Sequence, residues 1–130
     1  MAVIPLLPSK GIPLVLNNMR IARAQGMSRN MATLTTYMWF YSKVKNRGPW
    51  DYKQGHPELA NFGNFHYGAT GYAAGIPAKI LHMGAGFAQE RAKTSMPKWG
   101  HWYQKPPYGD DPRDQFWIKQ GIDYARKIGY

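Results

Sequence analysis

A single histidine lies among small and aromatic residues in the segment ELANFGNFHYGATGYAAG (58–75). Three glycines close to His66 allow a backbone to approach a ligand closely. Asn64 and Tyr67 supply hydrogen-bonding groups that can fix the tautomer of the imidazole. Because an imidazole with a pKa of about 6.5 can accept or donate a proton at neutral pH, His66 is the leading candidate for a catalytic residue. The alternative is a buried histidine whose ring is satisfied by a backbone carbonyl.

A cationic turn precedes this segment, in the stretch KVKNRGPWDYK (43–53), with four cations and one carboxylate around a Gly-Pro pair. Lys45, Arg47 and Lys53 suit an anionic ligand, because such cations stabilise charge that develops on a phosphodiester in the transition state. Asp51 is expected to orient the histidine or to act as a second acid-base group. The alternative, that cations in a last helical turn oppose the helix dipole, fits residues 43 and 45 but not Lys53.

Aromatic residues alternate with cations in KWGHWYQK (98–105), and we expect Trp99 and Trp102 to bind substrate there. Flat side chains between lysines stack on single-stranded nucleic acid, and similar stacking binds sugar rings. His101 in this loop is interpreted as packing at its edge. For His56, beside a turn proline, and His82, on an apolar helix face, a surface or structural role is expected.

The sequence contains no recognisable metal or nucleotide site, and we expect neither a metal nor a cofactor. It has no cysteine, no H-E-x-x-H and no pair of histidines at ligand spacing. The acidic cluster Asp110, Asp111 and Asp114 is interpreted as helix capping. The glycines of MGAGFA lack the strand and the spacing of a dinucleotide fingerprint.

The length of 130 residues fits one domain with one core, and 44% hydrophobic residues are enough for the chain to fold. Seventeen Lys and Arg against seven Asp and Glu give a formal charge of +10. Such a charge attracts polyanions, among them nucleic acid, anionic lipid and bacterial wall polymer. No apolar run is long enough to span a membrane, and the proline-interrupted start lacks the features of a signal peptide.

The elements that must position these residues are predicted to be mainly α, with little strand, in a single compact domain with long ordered loops. Residues 1–13 are expected to form a proline-punctuated leader that joins the domain, residues 14–130, to whatever precedes it. A first helix is predicted from Leu14 to about Gln25. Ser28 is the expected N-cap of a second helix, in which apolar residues recur at every third or fourth position: Met31, Leu34, Met38, Tyr41 and Val44.

Turn residues predict a loop with short extended pieces from 49 to 64, followed by a tight turn or short helix over 69–75. Pro77 is expected in the first turn of a helix that runs through AKILHMGAGFAQERA, and residues 94–109 are expected to form a loop. The dipeptide Asp111-Pro112 predicts the start of the last helix, whose inward positions are Ile118, Ile122 and Ala125.

Three stretches, WFYSKVKNRGPWDYKQ, FGNFHYGATGYAAGIP and PYGDDPRDQFWIKQGI, resemble the bacterial polymorphic toxin type 44 domain. The likeness runs in order from about Trp39 to Ile122. It implies the toxin domain of a larger secreted effector, delivered into rival bacteria and neutralised by a cognate immunity protein. It also implies nuclease-type activity, without assigning catalytic residues. Because the chain is strongly basic, an acidic immunity protein is expected.

The first function that fits these features is a metal-independent ribonuclease. His66 would transfer the proton at the reacting oxygen, with Lys53 and Lys45 on the phosphate and Asp51 as orienting or second acid-base group. Tyr67 and Asn64 would position the substrate. The second proton-transfer group of such a mechanism is not identified by the sequence.

Two alternatives stay open. A hydrolase of bacterial wall glycan needs two carboxyl groups about 5 to 10 Å apart, with one kept protonated by burial. Glu58, Glu90 and Asp51 are the candidates for that pair. A basic nucleic-acid-binding module without catalysis would leave His66 as part of the packing.

Overall fold

The computed structural model describes residues 2–27 and 31–130, and within these ranges the chain has α-helices and no strand. The helices are α1 (Gly11–Gln25), α2 (Leu34–Val44), α3 (Ala60–Ala73), α4 (Ala78–Arg91) and α5 (Pro112–Lys127). Short 3-10 helices, Pro57–Leu59 and Pro97–Trp99, lie in two of the connections. The predicted fold class, mainly α in one compact domain, is confirmed.

Helix α3 is the centre of the fold, since residues on all of its sides are buried: Phe62, Phe65, His66, Gly68, Ala69, Thr70, Gly71 and Ala73. It packs most extensively on α5, and it also contacts α1 and α4. A helix that is covered on every side has no polar face, so its amphipathic signal is weak. The residues flanking His66 are therefore core residues.

The prediction of a loop up to residue 64 is wrong for residues 60–64, which form the first turn of α3. Asn61, Gly63 and Asn64 are poor helix formers, and local propensity favours a loop there. Phe62 and Phe65 are completely buried on the core side. Because tertiary packing supplies most helix stability in proteins, it overrides the local preference. The segment 69–75 is the end of this same helix, closed by a turn at Gly75 with φ of +91°.

Glycines let α3 and α5 cross at contact distance. A Cβ added to Gly121 of α5 would lie 1.9 Å from the carbonyl oxygen of Phe65, and one on Gly68 of α3 would lie 2.2 Å from that of Ile118. Both distances are far inside van der Waals contact, so neither position accepts a side chain without moving a helix. Gly68 of α3 and Gly121 of α5 lie at the crossing of these two helices. Together they allow the short distance between the helix backbones.

Helix α1 confirms the predicted first helix, with Val15, Met19 and Ala22 buried. It begins at Gly11, three residues before the predicted start. The preceding segment lies against the domain, since Pro5 is buried and the Val3 N–H donates to Gln120 Oε1 over 2.9 Å. A role of residues 1–13 as a leader to a preceding domain stays a prediction.

Helix α2 begins at Leu34, later than predicted, and is capped by Thr33. The predicted cap, Ser28, lies outside the described residues. Thr33 and Thr36 form a reciprocal capping box, in which each side-chain oxygen accepts from the other's backbone N–H. This cap satisfies backbone N–H groups at the start of α2, so the N-terminus of the helix is stabilised by local residues.

The apolar positions predicted for the second helix do not form the packed face of α2. Met31, Leu34, Met38 and Tyr41 are all exposed, and of the predicted set only Val44 lies against the core. The buried residues are Thr36 and Phe40. Apolar residues occur on both sides of this helix, and the sequence period alone does not show which side meets the rest of the chain.

The predicted helices and loop after residue 77 are confirmed, except that Pro77 directly precedes α4 and does not lie in its first turn. Helix α4 follows Pro77, residues 92–111 are a loop that contains one 3-10 turn, and α5 begins directly after Asp111. The Asp111 carboxylate accepts from the Arg113 N–H and caps α5, and Pro112 occupies the first turn. The three predicted inward residues of α5 are buried.

Candidate active site

His66 lies in an aromatic cage and has no exposed surface. Trp50, Tyr52 and Phe62 surround the imidazole, with ring centroids at 5.1, 4.9 and 5.7 Å. The side-chain amide of Asn18 donates to Tyr52 Oη at 2.9 Å and lies 3.0 Å from His66 Nε2. An amide donor makes Nε2 the acceptor, which puts the ring proton on Nδ1. That nitrogen has no partner among the described residues.

Burial lowers the pKa of His66 from 6.5 to about 3. The folded chain therefore keeps this ring neutral at pH values where an unfolded chain takes up a proton. We expect the free energy of unfolding to fall as pH drops from about 6.5 towards 3, by at most about 1.4 kcal/mol per pH unit for one proton. Urea unfolding at several pH values measures that slope.

The variant His66→Gln removes the titrating group, so its stability is expected to depend less on pH over this window than that of the parent. His101→Gln is the matched control, since it removes an exposed imidazole. Equal slopes in the parent and in His66→Gln would contradict a neutral, buried His66. The comparison uses slopes, so a general loss of stability in His66→Gln does not obscure it.

The cations of the cationic turn lie at the surface, although Trp50 and Tyr52 from the same stretch pack on His66. Asp51 Oδ2 accepts from the Arg47 N–H at 2.8 Å, so this carboxylate holds the turn. Lys45, Arg47 and Lys53 are exposed. In the described part of the chain no hydrogen bond or ion pair links Asp51 or Lys53 to the histidine. The catalytic group predicted from the sequence is thus separated by burial from its predicted partners.

The fold brings Lys53 and Asn64 together at the start of α5. Burial raises the pKa of Asp114 there, and so does the Asp111 carboxylate, while Lys53 and Asn64 act in the opposite direction. Lys98 lies close enough to Asp111 to contribute to lowering the pKa of that residue. The cationic turn and the aromatic loop, separate in sequence, therefore flank the same helix end.

Tyr67 lies beneath this end of α5. Its hydroxyl donates to the Leu81 carbonyl at 2.7 Å. Burial raises its pKa, with a further contribution from Asp110. Burial also raises the pKa of Asp110 to about 6, although Gln115 donates to its Oδ2 at 2.7 Å. Asp110 is only 2% exposed, so both residues belong to the interior.

A histidine and a carboxylate meet where the last turn of α4 faces the aromatic loop. His101 Nδ1 lies 2.8 Å from Glu90 Oε2, and the Trp102 N–H donates to Glu90 Oε1 at 2.5 Å. The His101 side chain is 54% exposed and that of Glu90 24%. The hydrogen bond from His101 lowers the pKa of Glu90, and the Trp102 N–H adds to this effect. With Nδ1 held by a carboxylate, Nε2 is the nitrogen offered to a substrate.

This pair borders an open groove of about 450 Å³. Lys93 and Ser95 line it, together with Met96, Pro97 and Gly100. The segment from 91 to 105 carries four cations and no carboxylate. The groove therefore combines a half-exposed imidazole, the carboxylate that holds it, and the ammonium group of Lys93.

The aromatic loop is ordered by contacts with α4 and with itself. Trp102 packs edge-on against Phe87 at 5.5 Å, and the His101 ring stacks on Tyr103 at 5.4 Å. The Trp99 carbonyl accepts from the Gly109 N–H, and Ser95 Oγ donates to the Gly109 carbonyl. A Cβ on Gly86 would lie 1.7 Å from the Tyr108 carbonyl oxygen, so that glycine lets the loop lie directly on α4. Of the two predicted substrate-binding tryptophans, Trp102 contacts Glu90 through its backbone N–H, and neither indole is among the groove-lining residues.

The remaining candidates lie apart from this groove. His56 Nδ1 is 3.3 Å from Glu58 Oε1, and both side chains are more than half exposed. His82 is half-buried, with its ring beside Tyr108. In residues 2–27 and 31–130 no three His, Cys, Asp or Glu side chains are grouped so as to hold a metal ion.

The pairing of Glu90 with His101 was not predicted from the sequence. From the sequence, Glu90 is a candidate carboxylate for glycan hydrolysis and His101 is interpreted as packing at the edge of a loop. Nothing in the sequence indicates that the two side chains are in contact. Eleven residues of chain separate them, and they meet because the loop folds back on α4. A carboxylate at the end of a helix followed by a histidine-containing aromatic loop is a weak signal that becomes specific only once the loop path is known.

The site and the fold define a small, basic, mainly α domain with a histidine–carboxylate pair beside an open groove that Lys93 also lines. The family model described as Bacterial toxin 44 matches residues 56–127, and the chain belongs to this family. The match includes α3, α4, the aromatic loop and α5, and it begins after the cationic turn. Comparison with curated proteins and with solved structures finds no match. Among the described residues, no helix is long and apolar enough to cross a lipid bilayer.

Proposed function

We propose that this bacterial toxin domain is a metal-independent ribonuclease whose proton-transfer residue is His101. The hydrogen bond between His101 and Glu90, at the edge of a groove that Lys93 also lines, carries this proposal. A histidine whose other nitrogen is held by a carboxylate has a defined tautomer and an oriented acceptor nitrogen. RNA supplies its own nucleophile, the 2′-hydroxyl, and this imidazole has the position and exposure to activate it.

In the proposed reaction His101 Nε2 takes the proton of a ribose 2′-hydroxyl. The 2′-oxygen then bonds to the adjacent phosphorus, and the P–O5′ bond breaks. The leaving 5′-oxygen takes a proton from solvent, which gives a 2′,3′-cyclic phosphate and a 5′-hydroxyl. The proton on the imidazolium returns to solvent and restores the enzyme.

Glu90 is a positioning residue in this scheme. Its lowered pKa keeps it ionised, so it stabilises the imidazolium that forms when His101 takes the proton. Lys93, which lines the groove, supplies positive charge to the phosphate as negative charge develops. The arrangement provides one acid-base group, its orienting partner and a phosphate-binding cation.

Trp99 and Trp102 are proposed to stack on bases next to the cleaved bond. The exposed cations Lys45, Arg47 and Lys53 would hold the backbone of a longer strand. Support for this extension comes from Lys53 and Lys98, which act on neighbouring carboxylates at the start of α5. A strand that leaves the groove beside Lys98 would reach the cationic turn.

The catalytic roles of His66, Asp51 and Lys53 stay predictions. For His66, such a role requires that the buried ring become accessible to a substrate. A general base must come within hydrogen-bonding distance of the proton it removes. His66 is 0% exposed and would need its aromatic cage to open before it met a substrate. We therefore propose His101 for the chemistry and test His66 beside it.

The wall-glycan alternative is less favoured by the carboxyl groups. A glycosidase acid must be protonated near neutral pH, whereas the pKa of Glu90 is lowered and Glu58 lies exposed beside His56. Asp110 has the raised pKa that this role needs, but it is almost completely buried. A wall hydrolase built on Glu90 would have to protonate a carboxylate that this site holds ionised.

In the cell we propose a domain of a larger effector, delivered into a competing bacterium and blocked in the producer by an acidic immunity protein. Membership of a toxin family supports this context. The surplus of ten positive charges favours a partner with the opposite charge.

Incubation of the purified domain with RNA, with 2′-O-methyl RNA of the same sequence and with DNA tests the activity, in buffer that contains a chelator. We expect only the unmodified RNA to be cut, because the other two lack a free 2′-hydroxyl. The products should carry 2′,3′-cyclic phosphate. Cleavage of DNA or of 2′-O-methyl RNA would contradict the proposal.

A compartment test separates the alternatives in cells. Expression in the cytoplasm should stop growth and fragment total RNA, whereas a wall hydrolase should be toxic only when it carries a periplasmic leader. Binding of RNA that weakens steeply with salt, without any cleavage, would identify a binding module.

A further inference from the structure

Helix α2 and the residue Met31 before it expose a stripe of large apolar side chains to solvent. Met31, Leu34, Met38 and Tyr41 are between 65% and 75% exposed. Leu34, Met38 and Tyr41 stand at positions i, i+4 and i+7 of α2, which fall on one side of the helix, and Met31 lies just before the helix. Monomeric proteins rarely leave large apolar side chains contiguous at the surface, so such a stripe marks an interaction site.

The stripe is not needed to hold α2 in place. The opposite side of the helix packs on the core through Thr36 and Phe40, and the capping box closes the first turn. The last turn is held by Lys43, whose ammonium lies 5.9 Å from the ring centres of both Trp39 and Trp50. The helix is therefore formed and capped in the free domain, and we call its outer side the α2 ridge.

The charge around the ridge specifies the chemistry of that partner. Residues 1–50 contain seven Lys or Arg and no Asp or Glu, whereas all seven carboxylate residues lie in 51–130. Lys45 and Arg47, both exposed, directly follow α2. A second copy of this chain would bring two such cationic segments together, so charge opposes self-association through this face.

We propose that the α2 ridge docks into an apolar groove of an acidic protein, whose rim carboxylates meet Lys45 and Arg47. Anchors at i, i+4 and i+7, here Leu34, Met38 and Tyr41, are a pattern by which a helix enters a protein groove. Charge complementarity speeds the encounter, and the apolar side chains supply the buried contact. Such a partner would also cover the cationic turn, and it would compete there with an RNA strand.

This inference rests on the proposed function, which includes an acidic immunity protein. It goes further by identifying the surface of this domain that the immunity protein binds. The probe is the purified protein encoded next to this chain's own gene, titrated against the parent domain by calorimetry. We expect Leu34→Glu and Met38→Glu each to weaken binding by about a hundredfold or more, because each puts a carboxylate into an apolar, acid-rimmed groove.

Leu6→Glu is the matched control. It makes the same chemical change at a leucine that is 66% exposed, outside the stripe, and it should alter binding by less than about threefold. Circular dichroism checks folding, and Met38→Glu serves if Leu34→Glu unfolds. Raising the salt concentration should slow association with the parent domain.

If Leu34→Glu and Met38→Glu leave the binding unchanged, the α2 ridge is not the binding surface, although the immunity partner of the proposed function would stand. Failure of the neighbour to bind the parent at about 10 μM would overturn both. Two further results would also overturn the proposal. In the first, the parent binds vesicles rich in anionic phospholipid and Leu34→Glu does not, which would make the ridge a membrane-binding surface. In the second, the parent sediments as a dimer and Leu34→Glu sediments as a monomer.

Discussion

Replacing His101 by alanine is expected to reduce RNA cleavage by roughly 10²- to 10⁴-fold while leaving the fold intact. The loss follows from removal of the group that takes the proton of the 2′-hydroxyl. The ring is half exposed and packs mainly against Tyr103, so its removal opens no cavity in the core. Initial rates on a short RNA substrate, together with the midpoint of thermal unfolding, measure the two effects separately.

His56→Ala is the matched control, because it removes another exposed histidine that also faces a glutamate. It should leave cleavage within about threefold of the parent. Glu90→Gln keeps a hydrogen-bond acceptor for His101 but removes its charge, so we expect a smaller loss, mainly in kcat. A fully active His101→Ala domain would refute the assignment, and selective loss of activity in a folded His66→Gln would move the chemistry to the buried histidine.

Replacing Gly121 by alanine is expected to destabilise the domain by more than about 3 kcal/mol. The new Cβ would lie 1.9 Å from the Phe65 carbonyl oxygen and 2.9 Å from the Ala69 backbone nitrogen, and neither atom can move without displacing α3. Small-to-large changes in a packed core cost roughly 1 to 3 kcal/mol when side chains can adjust, and here only backbone is available. The loss is a large share of the 5 to 15 kcal/mol of a typical domain. Urea unfolding followed by circular dichroism measures it.

Gly63→Ala provides the comparison, since it makes the same change in α3 where no atom lies within 4 Å of the added Cβ. Alanine restricts the unfolded chain and favours helix, so this variant should be more stable by about 0.5 to 1 kcal/mol. Similar stability changes at Gly121 and Gly63 would show that the close crossing of α3 and α5 does not set the spacing of these helices.

The parts of the fold that sequence patterns predicted are those with local causes. The cap and proline of Asp111-Pro112 mark the start of α5, and its buried residues recur at helical spacing. Pro77 directly precedes α4, where it occupies the N-cap position. Each signal acts within one helical turn, so it holds whatever surrounds the helix.

The first turn of α3 and the orientation of α2 depend on contacts that the sequence does not display. Residues 60–64 form helix because two phenylalanines are buried against other elements. The apolar positions of α2 have helical spacing, yet the core covers the opposite side of the helix. Periodicity identifies a helix, while the arrangement of neighbouring helices decides which of its faces is covered.

The sequence by itself determined a basic, mainly α domain, a resemblance to a toxin family, and histidines that lie near cations and aromatic residues along the chain. Only the tertiary structure separated those histidines. It enclosed His66 between Trp50 and Tyr52, where burial keeps the ring neutral, and it folded the aromatic loop back so that His101 meets Glu90. The physical reason is that solvent exposure and proton affinity depend on which residues are neighbours in space, and those are set by how the helices and loops pack.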